Sequence, residues 1–340
     1  MSGRNRPLAA ILGCGGPRLS ERERAFFRDA DPYGFVLFQR NCEDPDQVRG
    51  LVAALRETVG RSDAPVLIDQ EGGRVRRLKP PHWPEHPAAA RFGALAARDP
   101  DRAERAVRLH ATAVAAMLSE LHIDVDAAPV LDLAFRGASD VVGDRAFGDD
   151  PATVARLGRA TCEGFLDGGV LPIIKHMPGH GRATVDSHHA LPVVTVDLDS
   201  LAAADFGPFR ALADAPWGMT GHIVLAAVDP DRPATQSPLV IERIIRGAIG
   251  FDGVLVSDDL SMNALSGTLG QRAAAAVAAG CDLALHCNGV FAEMMAVAAA
   301  APALADRTIE RLRRGEDRRR RPDAIDPVAT LARVDAMLAA

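Results

Sequence analysis

The 340 residues are 48% hydrophobic and 25% charged, a globular balance that excludes wholesale disorder and collagen-like or coiled-coil chains, and the length suits a single α/β barrel. Lys and Arg number 39 against 45 Asp and Glu, a net charge of -6, so the chain lacks the basic footprint of a nucleic-acid binder. No apolar run approaches the roughly 20 residues of a membrane span, and MSGRNRPLAAILGCGG has no apolar core long enough for a secretory leader, so a cytoplasmic location is expected.

In chain order, short apolar or β-branched runs alternate with longer amphipathic, alanine-rich ones. Strands are expected at 8–13, 35–38, 65–70, 124–131, 171–176, 218–223, 253–258 and 281–286. Helices are expected between them at 20–30, 45–59, 101–121, 151–167, 199–213, 238–248 and 269–279, several opened by Ser, Asp or Pro. Eight alternations predict the α/β class and a (β/α)8 TIM-type barrel. A doubly wound open sheet would carry a Gly-rich phosphate turn after an early strand, and GCGGPRLS at 13–20 fits neither that fingerprint nor a P-loop.

Beyond 288, the stretches 290–305, 306–321 and 326–339 read as helices packing outside the barrel. The expectation is therefore one domain over 1–340, with its core at about 8–288 and C-terminal helices at about 290–340. RRGEDRRRRP at 313–322 reads as a solvated helix end rather than a nucleic-acid patch, and KPPHWPEHP at 79–87 as a loop walling the site. Cys14, Cys42, Cys162, Cys281 and Cys287 are scattered and never form a C-x-x-C pair, which predicts neither a disulfide framework nor structural zinc.

Polar residues at the carboxyl ends of barrel strands face the active-site mouth. Here these are Asp69, Gln70, Glu71 and Arg74 after the third strand, Asp132 and Arg145 after the fourth, and Lys175, His176, His180, Asp186, His188 and His189 at and after the fifth. His222 ends the sixth and Ser257, Asp258 and Asp259 the seventh. Ionisable groups directly after apolar strands are costly to bury unless paired, so such a convergent set marks a site for a polar ligand such as a sugar. Glycoside hydrolysis needs a carboxylate near the anomeric carbon and a proton donor for the leaving oxygen. Asp258 suits the first role. In Asp186-Ser187-His188 the acid can orient the imidazole and stabilise its cation, although the tripeptide by itself reads more readily as a surface loop.

Taken together, IDQEGGRVRRL (68–78), GDRAFGDDP (143–151), KHMPGHGRATVDSHHALP (175–192), GMTGH (218–222) and GFDGVLVSDDLSM (250–262) resemble the family 3 glycoside hydrolases. Within that family the chain is similar to the compact bacterial β-N-acetylhexosaminidases of cell-wall recycling. Carried over residue by residue, the resemblance implies that Asp258 is the nucleophile and that His188, oriented by Asp186, is the general acid and base. It further implies that Asp69, Arg145, Lys175 and His176 bind the sugar in the minus-one subsite. Asp259 and His222 are then supporting residues, and His180, Glu71 and Asp132 are read as structural neighbours of the site. Met177 stands where the family more often has Phe, and Arg182 where it more often has Asp, which puts the electrostatics of the catalytic loop in question.

The resemblance implies a double displacement with retention, no cofactor and no metal, and terminal β-linked N-acetylglucosamine as substrate, carried on 1,6-anhydro-N-acetylmuramic acid peptides. Other readings are a phosphorylase, since a neutral acid/base would not repel phosphate, or a broader β-glycosidase of the same family. Outside the family stand a metal-dependent barrel hydrolase built on the histidines and a non-catalytic sugar-binding protein.

Overall fold

The computed structural model describes residues 6–187 and 189–340. Eight parallel strands form one sheet: β1 (Leu8–Leu12), β2 (Pro32–Leu37), β3 (Val66–Ile68), β4 (Val125–Asp126), β5 (Leu171–Met177), β6 (Trp217–Thr220), β7 (Val254–Val256) and β8 (Ala284–His286). Each strand pairs with the next in sequence, β8 pairs with β1, and a parallel bridge between Val256 and Leu283 closes the ring. The expected (β/α)8 barrel is what forms.

Alternation along the strands sorts their side chains into two cores. Ala9, Ile11, Val36, Leu67, Val125, Ile173, Met219, Val254 and Leu285 fill the interior. Ala10, Leu12, Leu37, Val66, Ile174, Leu255 and Ala284 face the surrounding helices. The helices begin where local chemistry satisfies their free N–H groups. Asp44, Asp99 and Asp150 cap the helices Pro45–Val59, Pro100–Glu120 and Pro151–Asp167, each with proline in the first turn, and Ser20 and Glu23 form a capping box on Glu21–Ala30.

Three expected elements differ. The helix expected at 199–213 is two, Leu198–Ala203 and Phe206–Ala211. Pro208 has no N–H to offer the Ala204 carbonyl, so the first helix cannot run through it. The strand expected at 124–131 pairs regularly only over Val125–Asp126, because Pro129 interrupts the ladder, which resumes at a bridge between Val130 and Lys175. The segment 79–87 contributes no residue to the site cavity. Instead it folds back on the barrel, burying Trp83 and placing His86 Nε2 at 3.2 Å from Gln70 Nε2.

The C-terminal region also departs from expectation. The helix Asp306–Glu316 does not pack outside the barrel but lies across its amino-terminal end. The chain first docks through Leu304 N to Pro7 O at 2.9 Å and Ala9 N to Pro302 O at 2.8 Å, and then sends Leu304 and Leu312 into the interior core beside Trp217. The run at 313–322 is largely solvated, as expected, but it also makes ion pairs: Arg319 reaches Asp124 at 3.2 Å and Arg320 reaches Glu163 at 2.6 Å, while Arg311, just before it, reaches Asp282 at 3.1 Å and Asp252 at 2.8 Å. Asp282 is the hub. It also accepts from Arg246 (2.9 Å), Thr308 Oγ1 (2.8 Å) and Leu255 N (2.9 Å). Asp282→Ala should therefore cost about 3–5 kcal/mol, since it removes the carboxylate of Arg246, one of the two carboxylates of Arg311 and the acceptor of a buried N–H. Urea unfolding is expected to show the lowered midpoint, with KM unchanged because the hub lies at the end of the barrel opposite the site.

Candidate active site

At the carboxyl ends of the strands opens a cavity of about 290 Å³. Asp69, Glu71, Arg145, Lys175, His176, His180, Asp186, Asp258 and Asp259 all line it, so residues up to 190 positions apart share one mouth. The apolar part of its wall comes from Phe38, Met219, Met262 and Leu285. His188, the expected proton donor, lies outside the described residues.

The cationic side is built around Lys175, the fifth residue of β5. Its Nζ meets Asp69 Oδ1 at 3.1 Å and Glu71 Oε1 at 2.7 Å. Arg145 grips Glu71 with two parallel bonds, Nε to Oε2 at 2.9 Å and Nη2 to Oε1 at 2.7 Å. Arg77 donates to Asp69 Oδ2 at 2.7 Å. Burial disfavours every one of these charges, and mutual pairing outweighs it. Burial raises the Glu71 carboxyl, but Arg145 and Lys175 bring it from 4.5 down to about 2, and Lys175 and Arg77 hold Asp69 well below the usual carboxylate range. Burial lowers the Lys175 ammonium, and Glu71 and Asp69 raise it above its ordinary value. The set is a preformed array of fixed charges, able to grip vicinal hydroxyls without reorganising.

The histidine side hangs on Asp132, which does not line the cavity. Its carboxylate takes His176 Nδ1 at 2.7 Å and the His180 N–H at 2.6 Å. That bond leaves His176 Nε2 as the ring nitrogen available to the cavity. His180 stays neutral, since burial pulls its imidazole down to about 4. His222 is wholly buried behind the cavity: Nε2 donates to the Asp259 carbonyl at 2.9 Å, and Nδ1 meets the Thr235 hydroxyl at 2.7 Å. It positions the segment that carries Asp258.

Asp258 stands two residues past β7. Burial raises its carboxyl, but His176, His222 and the Asp259 N–H, at 2.8 Å from Oδ1, bring it below the ordinary carboxylate value. Ionised at neutral pH and lining the cavity, it has the charge and access that a nucleophilic oxygen needs. Asp259 also lines the cavity, but its carboxylate is engaged, accepting from Ser261 Oγ at 2.5 Å and Cys287 N at 3.1 Å. Asp186 lines the cavity, and its carbonyl accepts from His189 N at 2.9 Å.

Sequence reasoning missed three participants. Arg77 both pairs with Asp69 and lies 4.4 Å from the centre of the Phe38 ring. Glu71, read as a structural neighbour, is a cavity-lining anion shared by two cations. Asp126 is wholly buried beneath the array, where burial pushes its carboxyl up to about 8 although Oδ1 accepts from Gln70 N at 2.9 Å. A carboxylate ending a strand was the available signal for Asp126. Among the described residues, no group of three or more His, Cys, Asp and Glu is placed to hold a metal ion, and no helix is long and apolar enough to cross a membrane.

Comparison with known proteins places this geometry. Residues 10–314 match the glycosyl hydrolase family 3 N terminal domain. A β-hexosaminidase of Alkalilimnicola ehrlichii is 40% identical over 282 residues, 82% of this chain and 80% of that protein. A β-hexosaminidase of Aromatoleum aromaticum is 37% identical over 330 residues, 95% of this chain and 91% of that protein. The crystal structure of NagZ from Neisseria gonorrhoeae superposes with a TM-score of 0.85 at 31% identity, covering 99% of this chain and 98% of that one. The same enzyme has been solved with N-trifluoroacetyl-D-glucosamine. A family match across nearly the whole barrel, with acids, cations and histidines gathered at its carboxyl end, establishes that the chain belongs to glycosyl hydrolase family 3 and is a glycoside hydrolase of the β-hexosaminidase type.

Proposed function

We propose that the protein is a retaining exo-β-N-acetylglucosaminidase that removes terminal β-linked N-acetylglucosamine from 1,6-anhydro-N-acetylmuramic acid peptides in cytoplasmic cell-wall recycling. The barrel and its C-terminal helices act as one catalytic domain. The observation that carries the reading is an ionised Asp258 facing the same cavity as the Asp69, Lys175, Arg145 and His176 array. Similarity to a NagZ solved with an N-acyl glucosamine supports the sugar.

In this reading Asp69, Lys175, Arg145 and His176 hold the ring hydroxyls and fix the anomeric carbon over Asp258. An Asp258 oxygen attacks that carbon as its bond to the aglycone oxygen breaks, and protonated His188, oriented by Asp186, delivers its proton to the departing oxygen. Water then attacks the glycosyl ester, giving its proton to neutral His188 and releasing Asp258, so two inversions leave the β-anomer. A carboxylate partner raises an imidazole above its ordinary pKa of about 6.5, which keeps the acid form populated near neutrality.

Hydrolysis of 4-nitrophenyl N-acetyl-β-D-glucosaminide beside the β-glucoside, followed by proton NMR with and without phosphate, tests this. Selective turnover with the β-anomer appearing first is the expected result. The α-anomer appearing first contradicts retention, a sugar 1-phosphate makes the enzyme a phosphorylase, and equal turnover of the glucoside removes the acetamido specificity.

A further inference from the structure

The loop that leaves β5 and carries Asp186 is gripped at two points, and Arg182 supplies the first. A Cβ on Gly181 would meet the Leu133 carbonyl oxygen at 2.1 Å, so the backbone there lies directly on the loop that follows β4. Arg182 then reaches sideways: Nε donates to Asp205 Oδ2 at 2.8 Å, and the guanidinium lies 4.1 Å from the centre of the Phe135 ring. The next residue completes this grip, its carbonyl accepting from Ser139 N at 2.8 Å. The second grip is at the far end, where the Ser187 carbonyl accepts from Ala264 N at 3.2 Å in the loop after β7. Only the exposed pair Thr184 and Val185 separates the first grip from Asp186.

The pair is unequal. Asp205 is 3% exposed and Arg182 24%, so Asp205 depends on Arg182 for its counter-charge, while the guanidinium also has an aromatic face to rest on. Arg182 does not line the cavity, so whatever it does for the reaction it does through the loop.

We propose that Arg182, clamped between Asp205 and Phe135, is a positioning residue that fixes the loop bearing the proton donor against the departing aglycone. The inference rests on the assignment of that donor to His188. Asp258 comes from a different strand end, so loss of the clamp leaves nucleophilic attack in place and impairs protonation of the leaving oxygen. The consequence is dependence on the leaving group. A nitrophenolate departs without a proton, whereas a 4-methoxyphenolate needs one.

The test compares kcat/KM for the 4-nitrophenyl and 4-methoxyphenyl N-acetyl-β-D-glucosaminides. In Arg182→Ala the ratio of the two is expected to rise at least about tenfold, within the range of general acid catalysis, and Arg182→Lys should recover part of it, since an ammonium neutralises Asp205 but does not stack flat. Should Arg182→Ala fold poorly, the double variant Arg182→Ala/Asp205→Asn removes the buried charge with its partner; it should regain thermal stability and keep the raised ratio. A ratio within about twofold of wild type in these variants, or an equal loss on both substrates, overturns the clamp. His188→Ala, run beside them, separates the two claims: a loss there that ignores the leaving group refutes the donor assignment and the clamp with it, whereas a leaving-group-dependent loss confined to His188→Ala refutes the clamp alone.

Discussion

Asp258→Ala should lower kcat by about 10⁴-fold or more, the scale on which removal of a covalent nucleophile is felt. The effect should fall on kcat rather than on KM. Asp258 is not a partner in the array formed by Lys175, Asp69, Glu71 and Arg145, whose ion pairs close on one another. In the proposed mechanism the binding groups therefore survive the substitution, and only the atom that forms the new bond is lost. Azide supplied to this variant should enter the vacated space and capture the anomeric carbon from the same side. The product is then the α-azide, a single inversion where the proposed mechanism makes two. Activated aryl glycosides followed in a spectrophotometer give the rate, and proton NMR gives the configuration. A rate within tenfold of wild type, or a β-azide, would remove Asp258 from the nucleophile's role.

Lys175→Met should be the most disruptive change on the cationic side. The ammonium is 3% exposed and stands between two carboxylates at 3.1 and 2.7 Å. Methionine has similar volume but no charge, so Asp69 keeps only Arg77 and Glu71 only Arg145. Breaking a buried ion pair by removing one partner costs about 3–5 kcal/mol, and loss of sugar positioning should lower kcat/KM by about 10² or more. The pH dependence gives an independent reading. Because Glu71 falls from 4.5 to about 2 in the folded protein, its contribution to stability is complete above about pH 4.5 and is lost as pH falls toward 2. Asp69 shifts in the same direction. Without Lys175 both carboxyls titrate closer to their unfolded values, so the fall in Tm across that window should be shallower than in wild type. His86, His110 and His180, buried and lowered to about 4, about 3 and about 4, also bind protons preferentially in the unfolded chain, but in both proteins, so the difference reports the carboxylates that Lys175 faces, Asp69 and Glu71 foremost and Asp258 with them. Parallel Tm curves would mean that Lys175 does not set these ionisations.

Much of this was visible in the sequence, where local chemistry and tertiary demand agree. The helices Pro45–Val59 and Pro151–Asp167 begin and end where an Asp-Pro start and amphipathic spacing put them. The strand ends carrying Asp69, Lys175 and Asp258 could be located because an ionisable residue directly after a buried apolar run has few places to go. β2 shows the opposite case. It begins at Pro32, three residues before the expected start, because Pro32-Tyr33-Gly34 reads as a breaker. Yet a Cβ at Gly34 would meet the Pro65 carbonyl oxygen at 2.7 Å, so glycine there serves close strand approach. The short helix Ala89–Ala96 had no capping side chain to announce it, since Ala88 holds the N-cap position. The partners of the arginine run were legible only in retrospect: Asp124, Asp252 and Asp282 each stand just before a barrel strand, a pattern that means nothing until closure of the ring brings those positions to one end. Arg77 over Phe38 is of the same kind, since a contact between neighbouring strand ends has no local signature.

The placement of Asp306–Glu316 fixes an order of events during synthesis. The site is complete in sequence once β8 has been made, but the interior core still lacks Leu304 and Leu312, and Asp282 still lacks Arg311 and Thr308. A nascent chain that has released all eight strands therefore holds a barrel whose interior core is uncovered at its base and whose buried Asp282 has only Arg246 as counter-charge. Its assembly waits for residues some thirty positions further on. The last segment to leave the ribosome in this region is the plug, so every strand-end residue of the site is made before the helix that covers the base of its barrel.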